Sequence, residues 1–466
     1  MNKRSITLIV MAALLLTISL SFVLRDTHEP LPQGAAELYQ KHCASCHGEQ
    51  LDRFAARQWV YGNSVAEVSS TIKHGRPAIG MPAFANAMND QEIEALSRFT
   101  IERVAQVPAT ITSTFVSTDT IRSLDLTFVL EEVAGENLNI PWGLAQLPNG
   151  DLLVTDKRGQ LYQVRNRVMT LIEGVPPVVM RGQGGLMDVI LHPNFEKNKL
   201  IYISYADGEN SNAINTTIAR AELRDGKLVR LEKIFHATPD SNSGVHFGCR
   251  MFFDKDGYLF FSIGERGRMQ NAQDLTNHSG KIHRLHADGS IPKDNPFVKT
   301  PGAMGSIWSY GHRNPQGLIY DERTGIIWEN EHGPKGGDEL NIIRKGLNYG
   351  WPVVSFGINY DGTIITNDTI KTGIEPPVHY WIPSIGPSSL AKVSSPRYPG
   401  WEGDFLSGSL SFEYLERTIM RNNRVIGSEK LLPKIGRVRH VLQAPDGFIY
   451  ITVERSGKVY RLAPVK

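Results

Sequence analysis

The chain has 466 residues, more than one ordinary domain core holds, so at least two domains are expected. Apolar residues make up 41% and charged residues 21% of it, the composition of a soluble globular protein. The formal net charge is +2 and no long basic run occurs, which argues against nucleic acid as a partner. Three cysteines are too few for a disulfide framework.

The N-terminus carries a segment for export. Lys3 and Arg4 precede the almost wholly apolar run ITLIVMAALLLTISLSFVL, residues 6–24. Basic residues stay on the cytoplasmic side of such a run, so the rest of the chain is expected beyond the membrane. No clean Ala-x-Ala cleavage site precedes Arg25, and the run is long enough to span a bilayer. Residues 1–25 are therefore either a cleaved signal peptide or an uncleaved membrane anchor. The protein is expected in the periplasm, secreted, or held at the outer face of the inner membrane.

Two of the cysteines lie in the stretch LYQKHCASCHGEQ, in the pattern Cys-x-x-Cys-His. This pattern has three interpretations. A redox dithiol needs a βαβ setting, and a zinc site needs a second pair of ligands, which the chain lacks. In the third, covalent attachment of c-type haem, Cys43 and Cys46 bind the porphyrin vinyl groups and His47 ligates the iron. The sequence therefore predicts a haem c site.

The sixth ligand of the iron is expected in the stretch GRPAIGMPAFANAMND. Met81 stands there between glycine and proline in a loop that cannot be regular helix, and Met88 is the second choice. Ligation by histidine and methionine raises the reduction potential and leaves no open position, which suits an electron carrier. Asn89 and Glu92 then form a capping-box pattern ahead of an amphipathic helix. Residues 34–107 as a whole resemble a small class I cytochrome c.

Residues 108–125 are rich in serine and threonine and lack a helical period, so they are expected to form a linker. Beyond them a unit of turn and strand recurs at intervals of roughly fifty residues, the spacing of four-stranded propeller blades. Six copies predict an all-β, six-bladed β-propeller over residues 126–466, behind the small all-α haem domain. The copies are LPNGDLLVTDKRGQLYQV, HPNFEKNKLIYISYADG, FDKDGYLFFSIGERG, YDERTGIIWENEHGP, YPGWEGDFLSGSL and APDGFIYITVERSGKVYRL.

Four stretches depart from the repeat with polar residues, namely RGQGGLMD, HFGCR, YGHRNPQG and GRVRHVLQ. Their arginines and histidines indicate a pocket for an anionic ligand, because arginine pairs with carboxylates. Together with EHGPKGGDE, NYGWP and SIPKDNPF, they occur in the order and nearly the form of the soluble PQQ-dependent aldose sugar dehydrogenases. The chain resembles that family from about Pro141 to its C-terminus. The resemblance implies a propeller that binds pyrroloquinoline quinone (PQQ) and calcium at the mouth of its central channel and oxidises aldoses at C1.

The resemblance also implies roles for individual residues. His246 matches the general base, which takes the proton of the anomeric hydroxyl as C1 gives up hydride. Arg313 matches the arginine beside the quinone oxygens, whose charge stabilises the negative charge that develops there. The main-chain carbonyls of Gly333 and Pro334 match calcium ligands. The remaining cofactor contacts match Gln183, Asn314, Trp381, Ser384, Arg437 and Arg439.

Two positions depart from the family pattern. Ser411 stands where many relatives have a lysine, so Arg437 and Arg439 are expected to carry more of the anion binding. Cys249 is new to its motif and is expected to be a buried, inert thiol.

Two functions follow from these expectations. In the first, an aldose is oxidised to the aldonolactone and the electrons pass from PQQ to the tethered haem and on to a respiratory acceptor. An aldehyde or sorbosone-type substrate on the same scaffold is a close variant of this function. In the second, a propeller without quinone binds sugars or hydrolyses lactones.

Replacing Met81 by Ala is expected to lower the reduction potential of the haem and to open the iron to cyanide, because the sixth ligand is lost. Potentiometric titration and the ferric absorption spectrum measure these two effects. An unchanged potential and spectrum would transfer the ligand role to Met88, which the variant Met88→Ala then tests.

Overall fold

The structure is a computed structural model that describes residues 34–47, 59, 61–76, 81–106, 120–135 and 138–465. The predicted export segment, residues 1–25, and most of the predicted linker lie outside these ranges. Among the helices of the described ranges, none combines the length and the apolar composition that a bilayer span requires.

Helices form the N-terminal domain, and its core residues include Tyr39, Leu96 and Met88, all less than 5% exposed. The predicted capping box is confirmed, because the main-chain N–H of Asn89 donates to the Glu92 carboxylate (2.9 Å) and that of Glu92 donates to Asn89 Oδ1 (3.0 Å). The helices are α1 (Ala35–His42), α2 (Ala44–His47), α3 (Val65–His74) and α4 (Asp90–Gln106).

Met81 lies half-buried against this core. It exchanges two main-chain hydrogen bonds with Arg76 (2.7 and 3.2 Å) and is therefore held in an extended, non-helical segment. Met88 is instead one of the buried residues of the core. The ligation of the iron by Met81 stays a prediction.

The propeller consists of antiparallel sheets of four strands, with a fifth strand added to the last sheet. A short helix, α5 (Phe195–Asn198), and a 3-10 turn (Met269–Ala272) interrupt the strands. The N-terminal strands are β1 (Thr120–Arg122) and β2 (Thr127–Ala134). The first three blades are β3 (Pro141–Gln146), β4 (Leu152–Asp156), β5 (Gln160–Arg165), β6 (Val168–Ile172); β7 (Leu186–Leu191), β8 (Leu200–Asn210), β9 (Ala213–Arg224), β10 (Lys227–His236); and β11 (Met251–Phe253), β12 (Leu259–Ile263), β13 (Lys281–Leu285), β14 (Ile307–Tyr310).

The fourth and fifth blades repeat the same order, and the sixth combines strands from both ends of the propeller. The strands are β15 (Pro315–Asp321), β16 (Ile326–Glu331), β17 (Asp338–Ile343), β18 (His379–Trp381); β19 (Pro387–Lys392), β20 (Phe405–Ser409), β21 (Leu415–Arg421), β22 (Arg424–Leu431); and β23 (Val438–Gln443), β24 (Ile449–Val453), β25 (Lys458–Pro464) with β2 and β1.

The six-bladed propeller is confirmed, and each sequence copy coincides with the turn before the second strand of a blade and that strand itself. The ring closes where β2 pairs with β25, in a register that sets Leu130 opposite Leu462. Trp401 packs edge-on against Phe128 of β2 (ring centroids 5.8 Å apart), and both side chains are fully buried. The apolar contact between the fifth and sixth blades therefore holds the closing strand. The end of the predicted linker, residues 120–122, pairs with β2 as strand β1.

Cys249 is buried, as expected, and its backbone adopts φ = 82°. This is the left-handed region, which costs a residue with a Cβ about 1–2 kcal/mol. The side chain packs with its Sγ 3.0 Å from Sδ of Met187, and burial raises the pKa of the thiol. Backbone strain therefore opposes what the side chain gains by packing.

Replacing Cys249 by Gly is expected to leave the propeller about 1 kcal/mol more stable than replacing it by Ala, although Gly removes more atoms. Both changes lose the buried thiol, but only Gly relieves the positive φ. The midpoint of urea unfolding measures the difference. At Ala219, which is buried in β9 without a positive φ, the change to Gly is expected to destabilise by about 1 kcal/mol. Lower stability of Cys249→Gly than of Cys249→Ala would contradict the role of strain.

Candidate active site at the channel mouth

Apart from Trp381, which lies in β18, the predicted cofactor residues of the propeller lie just before, or at the start of, the first strands of successive blades. These strands neighbour one another around the central channel. Because all blades repeat one topology, their first strands begin at the same mouth of the channel. Residues far apart in sequence are thereby brought together. In order, Gln183 precedes β7, His246 precedes β11, Arg313 and Asn314 precede β15, Ser384 precedes β19, and Arg437 and Arg439 stand at the start of β23.

The predicted base, His246, pairs through its ring Nδ1 with the carboxylate of Glu265 in a short hydrogen bond. Its main-chain N–H donates to Oε1 of Gln183 (2.8 Å), and its backbone has φ = 55°. Burial, followed by the charge of Arg313, lowers the pKa of His246. Burial raises the pKa of Glu265, but its attraction to His246 outweighs this and leaves the pKa lowered. The lowered pKa of His246 favours a neutral imidazole whose Nδ1–H donates to the Glu265 carboxylate, which leaves Nε2 as the candidate base.

Arg313 lies beside this pair, since its carbonyl accepts a hydrogen bond from the N–H of Glu265 (2.9 Å). Its guanidinium donates to the carbonyls of Gly333 (2.8 Å) and His332 (3.1 Å) and is 5.4 Å from the ring centre of Trp351. The carbonyl of Gly333, predicted as a calcium ligand, thus faces the arginine predicted to contact the quinone.

The buried carboxylate of Asp338 connects the loop that contains Gly333 with the segment that contains Ser384. It accepts hydrogen bonds from the N–H of Gly333 (2.8 Å), the hydroxyl of Ser384 (2.6 Å) and the N–H of Gly386 (2.8 Å). Burial raises the pKa of Asp338 to about 6, although these hydrogen bonds act in the opposite direction. Trp381 lies beside these residues, because its carbonyl accepts a hydrogen bond from the N–H of Gly337, directly before Asp338 (2.8 Å).

Arg437 and Arg439 share one carboxylate. Each donates through Nε to Glu454 at 2.7 Å, and the two guanidiniums hold the pKa of Glu454 well below its usual range against the effect of burial. Two arginines on one carboxylate leave a net positive charge for an anionic ligand. Arg439 also donates to Gln316 (3.3 Å), whose amide lies 3.4 Å from Oδ1 of Asn314.

Ser411 lies close to the segment that contains Ser384, since its N–H donates to the carbonyl of Ile385 (2.9 Å). The guanidinium of Arg437 donates to the carbonyl of the preceding residue, Leu410 (2.9 Å). A positive charge therefore stands beside the position where relatives carry lysine, although it comes from another blade.

The sequence analysis missed the carboxylates that hold these groups. Three of them, Glu265, Glu331 and Glu454, stand at or near the end of the second strand of a blade, which runs back to the same mouth. The repeat copies show this signal as an acidic residue at or near the end of the strand, and Asp156 and Asp207 take the same position in the first two blades. Asp338 has no such signal, because it stands at the start of a third strand.

Glu331, at the end of β16, holds the main chain that leads into the fourth blade. Its carboxylate accepts hydrogen bonds from the main-chain N–H groups of Arg313 (2.5 Å) and Asn314 (3.2 Å). His312, Glu329 and Glu331 are buried, and their ligand atoms lie within 4.8 Å of one another, the spacing of a metal site. Burial and the neighbouring Glu331 raise the pKa of Glu329 well above its usual range.

Two family models match the chain. The glucose/sorbosone dehydrogenase model matches residues 138–461, and the model of subunit III of cbb3-type cytochrome c oxidase matches residues 30–99. The aldose sugar dehydrogenase YliI of Escherichia coli is 39% identical over 72% of this chain and 92% of its own length. The crystal structure of the soluble aldose sugar dehydrogenase from E. coli in the apo form superimposes with a TM-score of 0.70 at 36% identity, covering 72% of this chain and all of that one. The PQQ-bound form of an aldose sugar dehydrogenase from Streptomyces coelicolor gives 0.60 at 28% identity, covering 72% and 98%.

Replacing Glu265 by Gln is expected to move the acid limb of the pH–rate profile to lower pH and to slow turnover about tenfold. Activity is lost as the pH falls through the pKa of His246, which lies below its usual 6.5. The charge and hydrogen bond of Glu265 raise that pKa, so their loss leaves a weaker base that stays neutral to lower pH. Sugar-dependent dye reduction across pH measures the shift. Glu232→Gln, an exposed change on β10, is the matched control. An acid limb that stays in place or moves upward would contradict the coupling.

Proposed function

The chain belongs to the glucose/sorbosone dehydrogenase family, and from this premise we propose that it oxidises an aldose at C1 to the aldonolactone and passes the electrons to its own haem c. Its relatives identify it as a PQQ-dependent sugar dehydrogenase. The proposal adds the lactone product and the transfer of electrons to haem. The observation that carries it is the hydrogen bond of His246 to Glu265, beside Arg313 at the mouth of the channel.

The mouth is suited to PQQ, which carries three carboxylates and an ortho-quinone. Arg437 and Arg439 retain one positive charge after pairing with Glu454, and they offer donors to carboxylates. Arg313 presents a further buried guanidinium near the base. When bound, PQQ supplies the acceptor for the hydride from C1. Trp381, Ser384, Asn314 and Gln183 line the same mouth as the remaining proposed contacts.

Calcium is proposed at the carbonyls of Gly333 and Pro334. Glu331, Gly333 and Glu339 border one cavity together with Arg313, so hard oxygen donors of the kind that calcium prefers form part of its lining. The carbonyl of Gly333 already accepts from Arg313, and a carbonyl oxygen has a second lone pair for a cation. The ion would polarise the quinone.

The proton chemistry belongs to His246. Its Nε2 takes the proton of the anomeric hydroxyl as C1 releases hydride, and Glu265 stabilises the imidazolium that forms. Arg313 contributes a fixed positive charge where negative charge develops during hydride transfer. No rearrangement of the pair is needed, because the hydrogen bond between His246 and Glu265 exists before substrate arrives.

The haem domain is suited to accept the electrons one at a time. Cys43 and His47 are half-buried at the end of α1 and in α2, beside an apolar core. The match of residues 30–99 to a cytochrome c oxidase subunit supports a respiratory partner as the final acceptor. We place the protein in the periplasm, secreted or anchored through residues 1–25.

In full-length protein loaded with PQQ and calcium, an aldose is expected to reduce the haem at a rate that does not change on dilution. The linker holds the two domains at an effective concentration on the order of millimolar, so the transfer is intramolecular. Stopped-flow absorbance of the haem measures the rate after a dye-reduction screen has identified a good aldose.

His246→Gln is the matched variant, and it is expected to slow sugar-dependent haem reduction by about two to four orders of magnitude while PQQ still binds. Haem reduction that slows in proportion to dilution would overturn the relay. The absence of PQQ-dependent dye reduction with every aldose would favour a quinone-free propeller that binds sugars or hydrolyses lactones.

A further inference from the structure

Lys335 of the propeller contacts the haem domain directly. Its ammonium group donates a hydrogen bond to the main-chain carbonyl of Lys41 at 3.0 Å. Lys41 lies in the last turn of α1, two residues before Cys43 of the haem motif. Carbonyls at the end of a helix carry partial negative charge, so a cation there is stabilised.

The position of Lys335 on the propeller is fixed by its backbone. Its N–H donates to the carbonyl of Ile358 (3.0 Å), and its carbonyl accepts from the N–H of Ile358 (3.2 Å). Lys335 belongs to the loop 333–337 between β16 and β17, whose Gly333 carbonyl accepts a hydrogen bond from Arg313. One side of this loop therefore meets the proposed cofactor site and the other side meets the haem domain.

The charge of Lys335 also affects the pKa of a second residue, next to the haem motif. His42 is buried and packs edge-on against Phe84, with ring centroids 5.9 Å apart. Burial lowers the pKa of His42, and the positive charge of Lys335 is the next largest cause. The contact therefore involves the end of α1 beyond a single hydrogen bond.

Exposed apolar side chains flank Lys335. Ile358 is 38% exposed and Ile382 is 64% exposed, and a Cβ at Gly336 would lie 3.4 Å from Ile382. Lys335 therefore stands among apolar side chains that remain partly open to water.

We propose that Lys335, flanked by Ile358 and Ile382, is the docking site of the haem domain on the propeller and sets the rate of internal electron transfer. The inference rests on the proposed function. Two electrons leave C1 with its hydrogen as hydride, and the hydroxyl proton goes to His246. The electrons then pass singly to ferric haem across the loop 333–337. An external one-electron acceptor reoxidises the ferrous haem between the two transfers. The hydrogen received as hydride and the proton on His246 both leave to solvent as protons, which regenerates the base.

The test uses full-length holoprotein with Lys335→Glu, Lys335→Arg and, as the matched control, Lys299→Glu. Lys299 is exposed on the loop between β13 and β14. Lys335→Glu places a negative charge against the helix end and is expected to slow sugar-dependent haem reduction at least tenfold. Lys335→Arg keeps the charge and the donor and is expected to stay within about twofold of wild type. Lys299→Glu is expected to change nothing.

Two further measurements separate docking from chemistry. Dye reduction by Lys335→Glu is expected to match wild type, because the main-chain bonds to Ile358 hold the loop without the lysine side chain. Small-angle X-ray scattering without sugar is expected to give a larger radius of gyration for Lys335→Glu than for wild type or Lys299→Glu. This readout does not depend on turnover.

The outcomes distinguish failure of the docking site from failure of the proposed function. Wild-type haem reduction in Lys335→Glu would overturn the docking site and leave the relay standing. A parallel loss of dye reduction would assign the lysine to the cofactor site and overturn the inference. If sugar fails to reduce the wild-type haem, the relay is wrong, and an unchanged radius of gyration in Lys335→Glu would then overturn the docking site as well.

Discussion

The site depends on one geometric constraint, which is that the first strand of every blade begins at the same mouth of the channel. The second strand is antiparallel to the first, so its end returns to that mouth. A polar residue before one strand and an acidic residue after the next therefore meet across short distances. His246 and Glu265 meet in this way, as do Arg437 and Glu454. The propeller thus pairs polar side chains with carboxylates that its repeat places in register.

These carboxylates organise the mouth before any cofactor binds. Glu331 fixes the turn that carries Arg313 and Asn314, and Asp338 ties Gly333 to Ser384. Buried charges cost much free energy unless they are paired and hydrogen-bonded. The pairing leaves excess positive charge where the proposed ligand carries carboxylates, while burial and Arg313 lower the pKa of His246, the proposed base.

The fusion gives the loop 333–337 two neighbours. Arg313 binds its inner side, and Lys335 extends from it to the end of α1. This loop therefore contacts both the proposed cofactor site and the haem domain, and the apolar residues around Lys335 stay partly exposed.

The sequence by itself determined the architecture, because both domains have local, periodic signals. Six turn-and-strand copies predicted six blades, and Asn89 with Glu92 predicted the start of α4 to the residue. The polar motifs identified the mouth, although the roles of their residues rest on the resemblance. Only the tertiary structure revealed the partners, since a hydrogen bond between residues 246 and 265 or 437 and 454 depends on how strands of one blade return to the mouth. The same holds for the positive charge beside Ser411, which comes from Arg437 on another blade, and for the contact between Lys335 and Lys41. Neither contact has a local pattern, because each joins parts of the chain that folding alone brings together.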